Sequence, residues 1–159
     1  MSAASSSSAP AFSFTLRVYY EDTDAGGVVY HANYLRFFER ARTEWLRSLG
    51  YEQHHLGQSE HRIFVVRGVT TRFLAPARLD DVLAVHSCLT KLGRASLTFR
   101  QTCLRHGQTL VHADVQVGCL DARTFKPAAL PTSLSHVLAP LVALQDANPP
   151  NPTAEGIDS

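Results

Sequence analysis

Cysteine, methionine and tryptophan are scarce in this 159-residue chain, and net charge is almost absent. Its three cysteines, Cys88, Cys103 and Cys119, are odd in number and lie in apolar, strand-like runs without the close spacing of zinc or redox motifs. That pattern fits buried reduced thiols and not a disulfide framework. A formal charge of +1 gives no global electrostatic reason for nucleic acid or an anionic membrane as the main partner. No run approaches the ~20 apolar residues of a transmembrane helix. The G-x-S-x-G elbow, the HExxH pair and the P-loop glycine pattern are all missing, so hydrolysis by those routes has no carrier. The start, MSAASSSSAPA, lacks a basic opening and an apolar core and reads as a disordered leader over residues 1–11. The Pro- and Asn-rich end reads as a flexible tail over 139–159. Between them, residues 12–138 have the size and composition of one domain, with the cytoplasm as the default compartment.

What is present is concentrated in one run, YYEDTDAGGVVYHANYLRFFERARTEWLRSLG, from Tyr19 to Gly50. Asp22 and Asp24 precede a glycine pair, Gly26 and Gly27, that permits a tight turn. After it Tyr30, Tyr34, Phe37, Phe38, Ala41, Trp45 and Leu49 recur at helical spacing, so a helix is expected to start near His31 and stop at Gly50. A helix N-terminus presents unpaired N–H groups and a partial positive charge, which suits an oxyanion developing on a carbonyl. Asp24, folded back by the glycines, is placed to act on that same carbonyl as nucleophile or as general base. The alternative use of Asp22 and Asp24 is as loop acids that satisfy turn amides. Asn33 reads as a cap of the first turn.

Downstream, Ile63–Leu74, Leu83–Leu92, Ala95–Leu104 and Thr109–Leu120 are β-like, separated by turn signals at 75–77, Gly93 and Gly107. With Phe12–Tyr19 they make five strands around one long helix, an α+β domain. In the last strand Val111, Ala113, Val115, Val117 and Cys119 are expected to face the core while His112, Asp114 and Gln116 point away. One helix cannot cover every sheet edge, which favours pairing with a second copy. His54, His55 and His61 read as a surface loop at the pocket rim.

The ordered run Tyr20, Asp22, Asp24, Gly26, Gly27, Val28, Tyr30, His31, Asn33 and Tyr34 resembles the 4-hydroxybenzoyl-CoA thioesterase family of hotdog-fold proteins, and in detail its Tol-Pal-associated acyl-CoA thioesterase branch. VVRGVTTRFLAPARLDD and KLGRASLTFRQT extend the likeness, which spans about Phe12 to Pro131. The resemblance implies a hotdog fold, a five-stranded antiparallel sheet wrapped around one long central helix, assembled as a homodimer or homotetramer with its sites between subunits. It implies hydrolysis of an acyl-CoA, or of an acyl-carrier-protein thioester, to a carboxylic acid and free thiol without metal or organic cofactor. Asp24 matches the essential carboxylate, and the backbone N–H of His31 matches the carbonyl-polarising position. The His31 ring is a second catalytic candidate and Tyr20 a third, as an orienter of Asp24. Gly27, Val28 and Asn33 are expected to bind substrate, and Lys91 and Arg94, flanking Gly93, are the first candidates for the phosphates of CoA. Two rival readings remain: an acyl-CoA or acyl-carrier-protein binding scaffold of the Tol-Pal system, and a hydratase or dehydratase on the same fold.

Overall fold

The computed structural model describes residues 12–52, 54 and 60–146. The strands β1 (Phe12–Arg17), β2 (Arg62–Phe73), β3 (Val82–Leu92), β4 (Ser96–Arg105) and β5 (Gln108–Asp121) form one antiparallel sheet in the order β1-β3-β4-β5-β2. Helices α1 (Asn33–Ser48) and α2 (Thr132–Asp146) are packed into the same hydrophobic core as this sheet. The expected α+β class and five strands are thus present, with strand limits within two residues of those read from sequence. The predicted leader, residues 147–159 and His55 lie outside the described residues.

Helix α1 forms because its apolar positions return every three or four residues. Tyr34, Phe37, Phe38, Ala41, Trp45 and Leu46 are buried, and Trp45 meets Phe99 of β4 edge-on at 5.7 Å. The stop is Gly50. At φ +90 it adopts the left-handed turn, its N–H donating to Arg47 O and that of Tyr51 to Leu46 O, the paired bonds of a Schellman motif. The start differs from expectation. α1 begins at Asn33, not His31, because 31 and 32 belong to the turn before it, and Tyr30 lies outside the helix, half exposed.

The alternation predicted for β5 holds: Val111, Ala113, Val115, Val117 and Cys119 are buried. The expectation of a single long helix does not. α2 runs across the boundary placed at 138, with Leu134 and Leu138 fully buried and Leu141 and Val142 packed against the core. Its interior Pro140, normally a helix breaker, masked the spacing of those apolar positions. In the sheet, β2 pairs only with β5, so its other side is an edge, and Val66 and Val69 on this strand are exposed.

Candidate active site

The two aspartates of the DTD run do different things. A short 3-10 turn, Tyr20–Asp22, ends β1's exit and buries Asp22. One carboxylate oxygen of Asp22 accepts the Tyr19 N–H at 2.8 Å and the other accepts the Asn33 side-chain amide at 2.6 Å. Asp22 therefore clamps this turn to the first residue of α1. Asn33 does not cap the helix as expected; its buried amide is committed to Asp22, while Ala32 occupies the cap position without a side-chain bond. Asp22→Ala removes the acceptor for two donors and is expected to destabilise the fold by about 2 kcal/mol, measured by urea unfolding.

From Asp22 the chain makes a small hairpin. Tyr30 N–H donates to Asp22 O, Asp24 N–H to Val28 O, and Gly27 N–H to Asp24 O, with Thr23 facing Val29. Gly27, at φ +79, supplies the left-handed residue that this turn needs. Asp24 sits exposed at the tip, and its Oδ1 accepts the Gly26 N–H at 2.8 Å. A side chain at Gly26 would come within 3.2 Å of that oxygen. The glycine pair thus shapes the turn and leaves the carboxylate uncrowded.

The loop at 74–81 anchors the hairpin. Val29 N–H donates to Ala77 O at 2.9 Å, Ala77 N–H donates to the Tyr34 hydroxyl oxygen at 3.1 Å, and Val28 bridges Arg78. Burial pushes the Tyr34 phenol above its ordinary pKa, so it remains neutral. The loop is tied in turn by Asp81, whose Oδ2 accepts from Arg78 N–H and from Arg105 Nη1. Burial raises the Asp81 pKa, but those two donors outweigh it and hold the carboxyl below its usual range. Its contribution to stability is present above the unfolded-state pKa and is lost as pH falls through the lower folded value.

Beyond the hairpin His31 is exposed, its ring 4.6 Å from that of Tyr30 and edge-on to Phe73 at 6.2 Å. Among the described residues the His31 N–H has no acceptor. His31 also lines an open depression of about 280 Å³ together with Val29, Tyr34, Phe73, Leu74 and Pro76. Phe73 and Leu74 were not foreseen; they sit where β2 runs into the turn at 75–77, and only the fold carries them to His31.

Other predicted residues lie elsewhere. Tyr20, 80 % exposed, lines a separate depression with Arg17, Tyr19 and Leu79, and its hydroxyl makes no hydrogen bond to Asp24. Lys91, next to the last residue of β3, and Arg94, in the β3–β4 turn, are exposed. That turn is at the opposite end of the sheet: Ser96 pairs with Gly118 of β5, whereas Phe73 pairs with Val111. Seven residues of strand separate the two ends, about 23 Å. His61, at the start of β2, is at that same far end, and so is not on the rim of this cavity. Among the described residues no three His, Cys, Asp or Glu side chains gather to hold a metal ion.

Residues 18–138 match the sequence pattern of the thioesterase-like superfamily. The chain is 48 % identical over 120 residues to the acyl-CoA thioesterase YbgC of Haemophilus influenzae, covering 76 % of this chain and 88 % of that one. It is 49 % identical over 124 residues to the acyl-CoA thioester hydrolase YbgC of Escherichia coli O157:H7, covering 77 % and 92 %. Among solved structures, a probable thioesterase from Bartonella henselae superposes with a TM-score of 0.72 at 38 % identity, over 75 % of this chain and 98 % of that one.

Proposed function

The chain belongs to the thioesterase-like superfamily, and we propose on that footing that it is an acyl-CoA thioesterase whose reacting groups are Asp24 and the backbone N–H of His31. The observation that carries the reading is the hairpin itself. Asp24 stands opposite Val28, and His31 follows Val28 by three residues in the turn before α1, a reach of at most about 11 Å that leaves a gap between the two positions. A carbonyl whose oxygen sits about 3 Å from an N–H and whose carbon lies about 3–3.5 Å from a carboxylate, or from water held by it, fills such a gap.

In the general-base route Asp24 takes a proton from water as the water oxygen attacks the thioester carbon. Negative charge collects on the carbonyl oxygen, where the His31 N–H and the uncapped start of α1 stabilise it. Collapse breaks the C–S bond, and Asp24 returns the proton to the leaving thiolate. In the nucleophilic route the Asp24 carboxylate forms the C–O bond as the C–S bond breaks and the thiolate leaves; water then hydrolyses the mixed anhydride to the carboxylic acid, regenerating the Asp24 carboxylate and supplying the thiolate's proton. Both routes use the same groups, and both benefit from a thiolate that leaves readily.

The position of Lys91 and Arg94 supports a site shared between copies. If the β2 edges of two chains pair antiparallel, the two-fold axis inverts one sheet relative to the other, and the partner subunit's Lys91 and Arg94 come to the end where His31 lies. Tetramer formation is a further step of the same kind. The likeness of the residues from Tyr20 to Tyr34 favours the Tol-Pal-associated branch of the 4-hydroxybenzoyl-CoA thioesterase family, with acyl carrier protein as a second thioester donor, and the cytoplasm is kept as the default compartment.

The test is release of free thiol from acyl-CoAs with short, long and aromatic acyl groups and from acyl carrier protein. Hydrolysis establishes the activity; a folded protein that binds these thioesters and releases none is a scaffold. His31→Ala keeps the N–H and removes a ring that packs on Phe73. It is expected to lower kcat by less than about 10²-fold, the lower bound for a general acid–base group. A loss as large as that of Asp24→Asn would make the imidazole a reacting group.

A further inference from the structure

One residue bonds both ends of the turn that presents the His31 N–H. The Asp22 carbonyl oxygen accepts the Tyr30 N–H at 2.9 Å, and its carboxylate Oδ1 accepts the Asn33 side-chain amide at 2.6 Å. The other carboxylate oxygen accepts the Tyr19 N–H at 2.8 Å, which keeps the side chain from swinging. Asp22 and Asn33 are buried, whereas Tyr30, His31 and Ala32 are exposed, so the backbone of the turn is set mainly by the bonds at its two ends. Within the turn the Asn33 N–H donates to Tyr30 O at 2.8 Å. The Tyr30 C=O and the His31 N–H belong to one planar trans peptide and point in opposite directions. Whatever fixes Asn33 therefore aims the His31 N–H, away from the first residue of α1.

We propose that Asp22 and Asn33 are positioning residues for the reaction, holding the Tyr30–Asn33 turn so that the His31 N–H meets the carbonyl oxygen. The inference rests on the thioesterase reading and adds to it the pair that orients the oxyanion donor. Neither side chain is a reacting group; both act through the peptide between Tyr30 and His31. A carboxylate suits this work because it accepts at both oxygens, and its charge makes the bond to the amide shorter and stronger than a neutral one. An oxyanion donor is most effective when its direction is set before the charge develops, and a displacement of about 1 Å costs about 10²-fold in rate. Without the Asn33 amide, only backbone bonds hold the turn, and the Tyr30–His31 peptide is free to rotate.

The experiment uses Asp24→Asn to hold a thioester with little turnover and reads the carbonyl stretch of the bound molecule by infrared difference spectroscopy. The probe is the acyl-CoA that the wild type hydrolyses fastest, isotopically labelled at its carbonyl carbon. The stretch is expected below its frequency in water, and adding Asn33→Ala is expected to return it most of the way. In the chain that retains Asp24, Asn33→Ala lowers kcat by about 10²-fold and leaves KM within a few-fold. Asn33→Asp is the second variant: two carboxyl groups at this spacing share one proton, so the bond is made at low pH and lost as that proton leaves. Its kcat is expected to fall with rising pH over a range where that of the wild type does not. A lowered stretch unchanged by Asn33→Ala, a kcat of that variant within a few-fold of wild type, or an Asn33→Asp profile that follows the wild type removes the pair from the reaction while the thioesterase reading stands. So does failure of both variants to fold, which makes the pair a structural clamp alone. If Asp24→Asn leaves the stretch at its solution value, the His31 N–H does not polarise the carbonyl and that assignment falls with this one. If the wild type cleaves no thioester, the whole reading falls.

Discussion

Asp24→Asn is expected to lower kcat for thioester hydrolysis by about 10²-fold or more, the usual worth of a positioned acid–base group, while leaving the fold unchanged. The substitution isolates chemistry because of how Asp24 is held. Its Oδ1 accepts the Gly26 N–H, a role that an asparagine carbonyl oxygen fills equally well, so the turn at the hairpin tip persists. The side chain is exposed and contributes nothing to the core. What is lost is the negative charge that removes a proton from water or attacks the carbonyl. The measurement is free-thiol release under saturating acyl-CoA, with thermal unfolding in parallel. Turnover within a few-fold of wild type would remove Asp24 from the reaction.

The largest effect on stability is expected at Gln101→Leu, about 3 kcal/mol by urea unfolding. Gln101 on β4 is fully buried between α1 and the sheet. Its Oε1 accepts from Arg42 Nη1 at 2.9 Å, and its Nε2 donates to Phe38 O at 3.0 Å and to Ser87 Oγ at 2.9 Å. Arg42 is itself buried, with no ion pair among the described residues. Burial draws its pKa below the ordinary value, yet a guanidinium stays charged. Leucine at 101 leaves that cation facing hydrocarbon. The cost of stranding the charge exceeds the sum of ordinary hydrogen bonds, so Arg42→Met in the same chain is expected to recover most of the loss. A double variant no more stable than Gln101→Leu alone would show that the amide matters for its ties to Phe38 and Ser87 and not for the arginine.

Those two sites differ in how far the amino-acid sequence exposes them. The turn that carries Asp24 is legible because its determinants are local: the glycine pair follows within three residues and α1 starts nine residues on. The β5 alternation and the Gly50 stop are legible for the same reason. The pairing of Arg42 with Gln101 joins residues 59 apart, and that of Asp22 with Asn33 depends on a turn folding back on a helix. Neither has a periodicity to betray it. Lys91 and Arg94 show in the sequence only as charge beside a turn; which end of a sheet a turn occupies is decided by strand register, and the register is a property of all five strands together. α2 is obscured in the sequence because Pro140 interrupts the spacing of Leu134, Leu138, Leu141 and Val142, and a Pro- and Asn-rich stretch follows the helix.

Ala77 brings a final consequence. It has no functional group, yet its two backbone atoms hold Tyr34 on one side and Val29 on the other. The hairpin that carries Asp24 is thereby held through a peptide unit. The two bonds made at position 77 do not depend on its side chain. Its size does matter, since the methyl is fully enclosed, and proline is excluded, since it brings no N–H. The position is thus governed by volume and by one proton, so a residue without a functional group sets the geometry on both sides of it.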